Sequence, residues 1–316
     1  MADALVITGA TATGKTALAI DVARALGGEI ISLDSRQVYQ HMDIGTAKPT
    51  AAQRTAVPHH GFDLVLPSER YSAGRFAADC TRWLAEIRAR GAVPILAGGT
   101  GFFLKALTHP LFQEPALPAA RREALKRYLA DKDTSELLEW ARALDPEAAA
   151  QLATQGGRQR LARVIEIVLL TGRRLAWWQS HAPTTGPLLA PLVFVLELPR
   201  TELYQRINQR VRDMIAAGLV AEVRTLLEAG YDEHAPGMNA TGYIELIPFL
   251  RGQQDLEAAI DAIQRATRRY ARRQLTWFRH QLPAGAIRLD AGRPSAELLA
   301  DIVERWEVEV DPAHRN

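Results

Sequence analysis

The chain has 316 residues, 38 Lys and Arg against 36 Asp and Glu, a formal net charge of +2 and an apolar fraction of 47%, which together exclude a disordered protein. No run of about 18 uninterrupted apolar residues occurs, which excludes a membrane-spanning helix, and the first residues lack the basic start of a signal peptide. The single cysteine, Cys80, excludes an internal disulfide and a cysteine-based zinc site, so we expect a reduced, cytoplasmic setting.

Short apolar strands alternate with helices along the first hundred residues. The pattern predicts strands over 4–7, 29–33 and 93–97, and helices over 15–26 and 73–90. Strands that alternate with helices form βαβ units, in which the strands are parallel and buried. We therefore expect an α/β fold built on a parallel sheet.

The middle of the chain lacks strand signals. Residues 116–190 are predicted to form a helical insertion flanked by prolines, and a β-like run at 192–196 restarts the alternation. We predict a parallel-sheet core over 1–115 and 191–316, with a helical insertion domain over 116–190. The later elements are predicted as helices over 201–218, 255–280 and 295–307 and a strand over 287–289.

A glycine-rich loop follows the first predicted strand and opens the first predicted helix. Its sequence, GATATGKT, fits the pattern G-x-x-x-x-G-K-[ST] in the strand–loop–helix context that the pattern requires, although a chance glycine-rich turn is the alternative. Backbone N–H groups of such a loop bind phosphate oxygens at the positive end of the helix dipole. The core is therefore predicted to contain a P-loop, with Lys15 on the terminal phosphates and the Thr16 hydroxyl on Mg²⁺. The predicted phosphate-binding residues are Gly9, Ala10, Thr11, Ala12, Thr13, Gly14, Lys15 and Thr16.

Two polar segments lie at the carboxyl ends of other predicted strands, where ligands bind in doubly wound sheets. Asp34 follows the second strand and would face the phosphate loop, as a Mg²⁺ ligand or a general base. The alternative is a turn residue or a helix N-cap, which is a common position for aspartate. The glycines of 98–101 follow the strand over 93–97 and allow a close approach of a ligand, or a plain tight turn.

Arginine supplies 33 of the 38 basic residues, because only five lysines occur. Arginine suits bidentate phosphate contacts and base stacking, although a GC-rich genome would favour it as well. Six arginines lie between Gln264 and His280, interleaved with aromatic residues and without an acidic residue over 262–289, and a second cluster lies over 158–174. Two such faces favour nucleic-acid binding over a solvated basic surface.

The predicted helix over 201–218 carries two arginines beside its apolar stripe. Arg206 or Arg210 is placed to reach over the phosphate loop as a second cation. The alternative is a surface ion pair with Glu202 or Asp213.

With these motifs in place, the chain resembles the tRNA dimethylallyltransferases, the bacterial isopentenyltransferase family that prenylates tRNA. The similarity runs nearly from end to end, and the DSRQ and RRQ-x-TWFR segments are highly specific. It is carried by GATATGKT, ISLDSRQVYQHMDIGTAKP, PHHGFDL, GGTGFFLKAL, QRLAR, GLVAEVRTLL and TRRYARRQLTWFRH.

The resemblance implies transfer of a dimethylallyl group from dimethylallyl diphosphate to N6 of the adenosine 3′-adjacent to the anticodon, in tRNAs that read codons beginning with U. The phosphate loop would hold the diphosphate leaving group, whose charge Lys15, Arg210 and Mg²⁺ would neutralise. Asp34 would take the proton of the attacking amine, and Thr100 would fix Asp34 or the diphosphate. The target base would leave its stack to enter this site.

The resemblance also implies the partners, which are the tRNA anticodon stem-loop and dimethylallyl diphosphate, with no membrane. We expect a monomer whose insertion and arginine helices grip the stem-loop. The implied tRNA-binding residues are Asp34, Ser35, Arg36, Gln37, Thr100, Arg122, Gln159, Arg160, Leu161, Ala162, Arg163, Arg272, Arg273, Gln274, Thr276, Trp277 and Arg279.

Four segments depart from the family's pattern. Ala10 replaces a loop proline, and Gly157 with Arg158 stands where Asp-Pro is frequent. Ile244 replaces a basic residue, which removes a tRNA contact if that residue makes one. Phe102 and Phe103 lack a frequent tyrosine, so any role of its hydroxyl is lost.

Two other functions remain compatible with a phosphate loop and basic helices. A small-molecule or nucleotide kinase would bind ATP far more tightly than the prenyl diphosphate. A non-catalytic RNA-binding protein regulated by a nucleotide would bind RNA without turnover.

Overall fold

The structure, a computed structural model, describes residues 2–109, 111–112, 115, 117–155, 157–181, 184–185 and 188–309. Its contacts divide the chain into two compact units, Met1–His109 with Gly186–Asn316, and Pro110–Thr185. The second unit begins and ends a few residues earlier than the insertion predicted over 116–190. The reason is a pair of two-residue strands at its ends, which are too short to produce a sequence pattern.

A parallel sheet forms the centre of the first unit. The strands of the structure are β1 (Leu5–Gly9), β2 (Gly28–Ser32), β3 (His59–His60), β4 (Val93–Gly98), β5 (Leu111–Phe112), β6 (Thr184–Thr185), β7 (Leu192–Glu197) and β8 (Ile287–Asp290). Six of them form one sheet in the order β3-β2-β4-β1-β7-β8, with every neighbouring pair parallel, whereas β5 and β6 pair antiparallel in the second unit. The α/β fold and each predicted strand are therefore confirmed. Strand β1 is buried along its whole length, as expected for a parallel sheet covered on both faces.

Helices connect the strands of the first unit and make up most of the second. They are α1 (Lys15–Leu26), α2 (Ala51–Ala56), α3 (Ala73–Ala89), α4 (Gly101–Thr108), α5 (Ala119–Ala130), α6 (Thr134–Leu144), α7 (Pro146–Gln155), α8 (Arg158–Thr171), α9 (Leu175–His181), α10 (Arg200–Ala216), α11 (Leu219–Glu228), α12 (Ile247–Leu250), α13 (Leu256–Gln281) and α14 (Ser295–Glu309). The predicted helices occur with shifts of one or two residues, and α2, α4, α11 and α12 are additions. The sequence pattern does not predict α4, because its first residue belongs to the glycine segment of residues 98–101, which is typical of a loop.

Each unit has its own apolar core. In the first unit, one cluster packs β1, β7, α1 and α14 together, and a second lies between α11 and α13 around Tyr243. In the second unit, Leu137 of α6 and the α8 residues Leu161 and Ile165 are buried together. Across the described residues, no helix combines the length and the apolar composition needed to cross a bilayer.

Candidate active site

The phosphate loop joins β1 to α1, as the motif predicts. Gly14 precedes the helix in the left-handed region, with φ of 88°. The Lys15 ammonium donates to the Ala10 carbonyl oxygen at 2.6 Å, and the Thr13 hydroxyl donates to the same oxygen at 2.9 Å. These two bonds close the loop, while Thr16 lies exposed in the first turn of α1. The loop therefore has the shape of an anion site at a helix N-terminus.

A cavity of about 590 Å³ opens above this loop at the carboxyl edge of the sheet. It brings the phosphate loop together with Asp34 after β2, Arg210 on α10 and Tyr270 on α13. The two arginines of α10 separate here, because Arg206 pairs with Glu202 at 2.7 Å whereas Arg210 lines the cavity. Arg210, and not Arg206, is therefore the second cationic side chain of this cavity.

Burial changes the charge balance of the cavity. The pKa of Lys15 is lowered to about 7, because burial disfavours its charged form and Arg210 lies nearby. Burial also lowers the pKa of Arg210 and raises that of Asp34, although the neighbouring cations and the Arg36 N–H group oppose the latter shift. Two cationic side chains and one carboxyl group in one cavity make a site suited to a ligand with several negative charges.

Asp34 is both a turn residue and a cavity residue. Its Oδ1 accepts the Arg36 N–H at 2.8 Å, which is the turn geometry that sequence reasoning offered as an alternative. Thr100 lies behind this turn, where its hydroxyl accepts the Ser35 N–H at 3.0 Å. The Arg36 guanidinium donates to the Pro236 carbonyl oxygen at 3.1 Å. Thr100 therefore holds the segment that carries Asp34.

Gln37 holds a neighbouring loop of the cavity. Its Nε2 donates to the carbonyl oxygens of Thr46 and Ala47, both at 3.1 Å, and its Oε1 accepts the Ser32 hydroxyl at 2.8 Å. Both N–H groups of the amide are therefore used within the protein. The tRNA contact expected of Gln37 stays a prediction.

Helix α13 divides the predicted tRNA contacts between its two faces. Arg272, Thr276 and Arg279 are exposed, and within the described part of the chain neither arginine forms an ion pair. The Arg273 guanidinium lies 5.6 Å from the centroid of the Tyr270 ring. Gln274 is buried on the other face, with 6% exposure, so its contact with tRNA stays a prediction that this burial does not favour. The ring of Trp277 packs against Gly101 on the same side.

Of the residues predicted to contact tRNA in the second unit, some are exposed and others are buried or bonded within the protein. Gln159 and Arg160 are exposed at the start of α8. Leu161 is 1% exposed in the core of the unit, so its contact with tRNA stays a prediction that this burial does not favour. Arg122 and Arg163 both bond to the buried carboxylate of Glu166, and Ala162 is half-buried against the same core.

The structure shows the surroundings of three of the family-pattern departures. Phe103 stacks on Phe76 with centroids 4.1 Å apart and an interplanar angle of 9°, and it is buried in the core. Gly157 precedes α8 as its N-cap, and the Arg158 guanidinium donates to the Lys132 carbonyl oxygen at 2.9 Å. Ile244 is 39% exposed, so this position presents an apolar side chain to solvent.

Sequence reasoning missed two residues that shape the cavity wall. The Glu222 carboxylate accepts the N–H groups of Asp43, Ile44 and Gly45 at 2.8 to 3.1 Å. The Tyr243 hydroxyl donates to the same carboxylate at 2.6 Å. Glu222 lies in the GLVAEVRTLL segment, but no local pattern signals that it and Tyr243 meet the loop of residues 43–45.

Comparison with known proteins assigns the family. Residues 37–281 match the family model described as IPP transferase, and residues 2–58 match a second model, isopentenyl transferase. This chain belongs to the IPP transferase family. The tRNA dimethylallyltransferase of Halorhodospira halophila is 44% identical over 282 residues, which cover 89% of this chain and 91% of that protein. The corresponding protein of Thermotoga petrophila is 39% identical over 96% of this chain and 99% of its own length.

Solved structures of IPP transferases have the same fold. The tRNA isopentenylpyrophosphate transferase of Bacillus halodurans is 34% identical, with a TM-score of 0.70 over 99% of this chain and 100% of that chain. A eukaryotic dimethylallyltransferase described as acting on tRNA is 28% identical, with a TM-score of 0.80 over 98% of this chain and 80% of that chain.

Proposed function

We propose that this protein transfers a dimethylallyl group from dimethylallyl diphosphate to N6 of the adenosine 3′-adjacent to the anticodon of tRNAs that read codons beginning with U. The observation that carries the proposal is the cavity in which a phosphate loop faces Asp34 and Arg210. A phosphate loop alone is equally suited to a kinase. The relatives named tRNA dimethylallyltransferase, over nearly the whole chain, favour prenyl transfer.

The phosphate loop binds the diphosphate of the donor in this proposal. The loop residues that line the cavity are Thr11, Ala12, Gly14, Lys15 and Thr16, and Lys15 and Arg210 supply positive charge. Negative charge grows on the diphosphate as the bond between its oxygen and the allylic carbon breaks. Cations held in a partly buried site stabilise that charge more strongly than water does.

Asp34 acts as the general base. The N6 amine of the extruded adenine attacks the allylic carbon, a carbon–nitrogen bond forms, and diphosphate leaves. The surplus proton of the amine passes to the Asp34 carboxylate. Because burial raises the pKa of Asp34, this carboxylate is a stronger base than an exposed aspartate.

Magnesium fits this cavity as a companion of the diphosphate. The described residues contain no group of three or more His, Cys, Asp or Glu side chains that could hold a metal alone. Mg²⁺ commonly takes one or two protein oxygens and completes its shell with phosphate oxygens and water. The exposed Thr16 hydroxyl lines the cavity and suits that role. When bound, the ion would neutralise charge on the leaving group.

The exposed arginines of α13 and the exposed Gln159 and Arg160 of α8 bind the anticodon stem-loop in this proposal. Cys80 is buried and free, in keeping with a reduced cytoplasmic setting.

The direct test is incubation of the protein with Mg²⁺, dimethylallyl diphosphate and an unmodified tRNA that has adenosine 3′ to its anticodon. Mass spectrometry of the digested tRNA should show one N6-dimethylallyladenosine per molecule. A tRNA with guanosine at that position is the matched control and should stay unmodified. Turnover of ATP without prenylated adenosine would contradict the proposal and favour a kinase.

A further inference from the structure

Gln274 is a buried polar residue of α13 whose amide bonds to two different loops of the cavity. Its Oε1 accepts the Thr11 N–H at 2.9 Å, and its Nε2 donates to the Gly99 carbonyl oxygen at 2.9 Å. Thr11 belongs to the phosphate loop, and Gly99 to the loop after β4. Because an amide carries its acceptor and its donor on one rigid plane, Gln274 joins these two loops at a set separation.

The loop after β4 is shaped to receive α13 closely. A Cβ atom at Gly99 would lie 2.2 Å from Nε2 of Gln274, and one at Gly101 would lie 2.3 Å from Cε3 of Trp277. Gln274 and Trp277 are three residues apart and therefore project from the same side of the helix. The two glycines are needed at these positions so that both side chains reach the loop.

The loop after β4 is joined in turn to the segment that carries Asp34. The Thr100 N–H donates to the Leu33 carbonyl oxygen at 2.9 Å, and the Thr100 hydroxyl accepts the Ser35 N–H. Hydrogen bonds therefore run continuously from the phosphate loop to both neighbours of Asp34. Gln274 forms the first link of this connection.

We propose that Gln274 is a positioning residue for prenyl transfer, which holds the phosphate loop in register with the segment that carries Asp34. The inference rests on the proposed function, in which the phosphate loop binds the leaving group and Asp34 receives the proton. If the two loops separate, the allylic carbon moves away from the attacking amine. A misplacement of about 1 Å costs about 100-fold in rate.

Gln274→Met keeps the length of the side chain and removes both hydrogen bonds. We expect kcat to fall about 10-fold or more, since alignment is lost. The Kd of inorganic diphosphate with Mg²⁺, measured by calorimetry, should rise about threefold or more, because the Thr11 N–H loses its acceptor. The Kd of an anticodon stem-loop should stay within about twofold, because the exposed arginines are unchanged.

Gln264→Met is the matched control on the same helix. Gln264 is 7% exposed and donates to the Asn208 carbonyl oxygen at 3.2 Å, so this change also removes a buried hydrogen bond. It does not touch the phosphate loop, and kcat should stay within about threefold of wild type. Weaker binding of the stem-loop by Gln274→Met, with diphosphate binding unchanged, would overturn the inference and restore Gln274 as a tRNA contact.

A double-mutant cycle gives a second, independent test. Gly99→Ala places a methyl group against Nε2 of Gln274, so it should lower kcat about 10-fold or more in the wild-type background. In the Gln274→Ala background the contact with Nε2 is removed and the nearest remaining atom is the Gly9 carbonyl oxygen at 3.3 Å, so the same change should cost clearly less than in wild type. If Gly99→Ala lowered kcat equally in both backgrounds, the proposed link between Gln274 and the loop after β4 would be refuted. If wild type forms no prenylated adenosine, the proposed function fails, whereas the diphosphate and stem-loop titrations still decide the role of Gln274.

Discussion

At the scale of single residues, the cavity depends on side chains whose charges are altered by burial. Lys15, Asp34 and Arg210 line one space, and each has its pKa moved toward the neutral form. A highly charged anionic ligand reverses this effect for Lys15 and Arg210, because its negative charges favour their protonated forms, whereas it raises the pKa of Asp34 further. The charge state of the site is therefore linked to ligand binding.

Asp34→Asn should separate catalysis from binding. The Asn oxygen still accepts the Arg36 N–H, so the turn is kept, but the general base is lost and kcat should fall about 10²- to 10⁴-fold. The wild-type pKa of Asp34 is raised, so kcat should fall as the pH drops through a value above the ordinary 3.8. The variant should lack this acidic limb. A pH–rate profile with stem-loop binding as control tests this, and a kcat within about threefold of wild type would exclude Asp34 as the base.

Binding of diphosphate should draw a proton onto Lys15. With a pKa of about 7, Lys15 is largely neutral at about pH 8 in the free protein, and a bound anion raises its pKa. Calorimetry in two buffers of different ionisation enthalpy should show uptake approaching about one proton. Arg210→Gln removes a neighbouring positive charge, which raises the pKa of Lys15 in the free protein, so uptake at the same pH should decrease. Equal uptake in wild type and in Arg210→Gln would show that the two cations are independent.

At the scale of secondary-structure elements, α13 serves two purposes on two faces. One face presents arginines that have no carboxylate partner among the described residues, and the other packs Gln274 and Trp277 against the glycines after β4. Because both faces belong to one continuous helix, the exposed arginines and the side chains that contact the phosphate loop are held by the same element. Helix α13 is 26 residues long, which is enough to run from the apolar cluster around Tyr243 to the cavity.

The arginines of α13 should determine how strongly RNA binding depends on salt. Arg272→Gln and Arg279→Gln should each reduce the slope of log Kd against log salt concentration by about 0.7 to 0.9, one phosphate contact each. Arg293→Gln is the matched control, because Arg293 already pairs with Glu297 and Asp301 on α14. Titrations of a labelled stem-loop at four salt concentrations give the slopes. Unchanged slopes in the α13 variants would mean that this face does not bind the RNA backbone.

At the scale of the whole molecule, the two units have separate cores. The first is stabilised by a buried parallel sheet, and the second by contacts among α5 to α9. Substitution of a core residue in the second unit is therefore expected to destabilise that unit without changing the chemistry of the cavity.

Leu161→Ala and Leu169→Ala, both on α8, test this separation. Leu161 is 1% exposed, so its truncation should lower the free energy of unfolding of the second unit by about 2 to 5 kcal/mol. Leu169 is 47% exposed, and its truncation should cost less than about 0.5 kcal/mol. Hydrogen exchange of the amides of residues 117–181 measures both. Equal protection in the two variants would contradict the position of Leu161 in the core.

Part of this protein was determined by local sequence. The phosphate loop and its flanking strand and helix lie within about thirty residues of each other, so a local motif was enough to predict them. Short apolar strands that alternate with helices indicate buried parallel strands, so the α/β core could also be predicted from the sequence. Two-residue strands such as β3 and β5 carry no such pattern. Helix α11 follows α10 almost directly, so the sequence pattern did not separate it as a helix of its own.

Only the tertiary structure shows whether a polar or charged side chain lies in the cavity, in a core or on the exposed surface. Gln274 directly follows two arginines in the chain, yet its partners Thr11 and Gly99 lie 263 and 175 residues away. Leu161 lies inside a basic segment but packs into a core, and Arg206 and Arg210 differ because one turn of helix directs them to different neighbours. Residue type and spacing report what a side chain is able to do. Long-range packing decides whether a nucleic acid, a phosphate or the protein itself receives that contact.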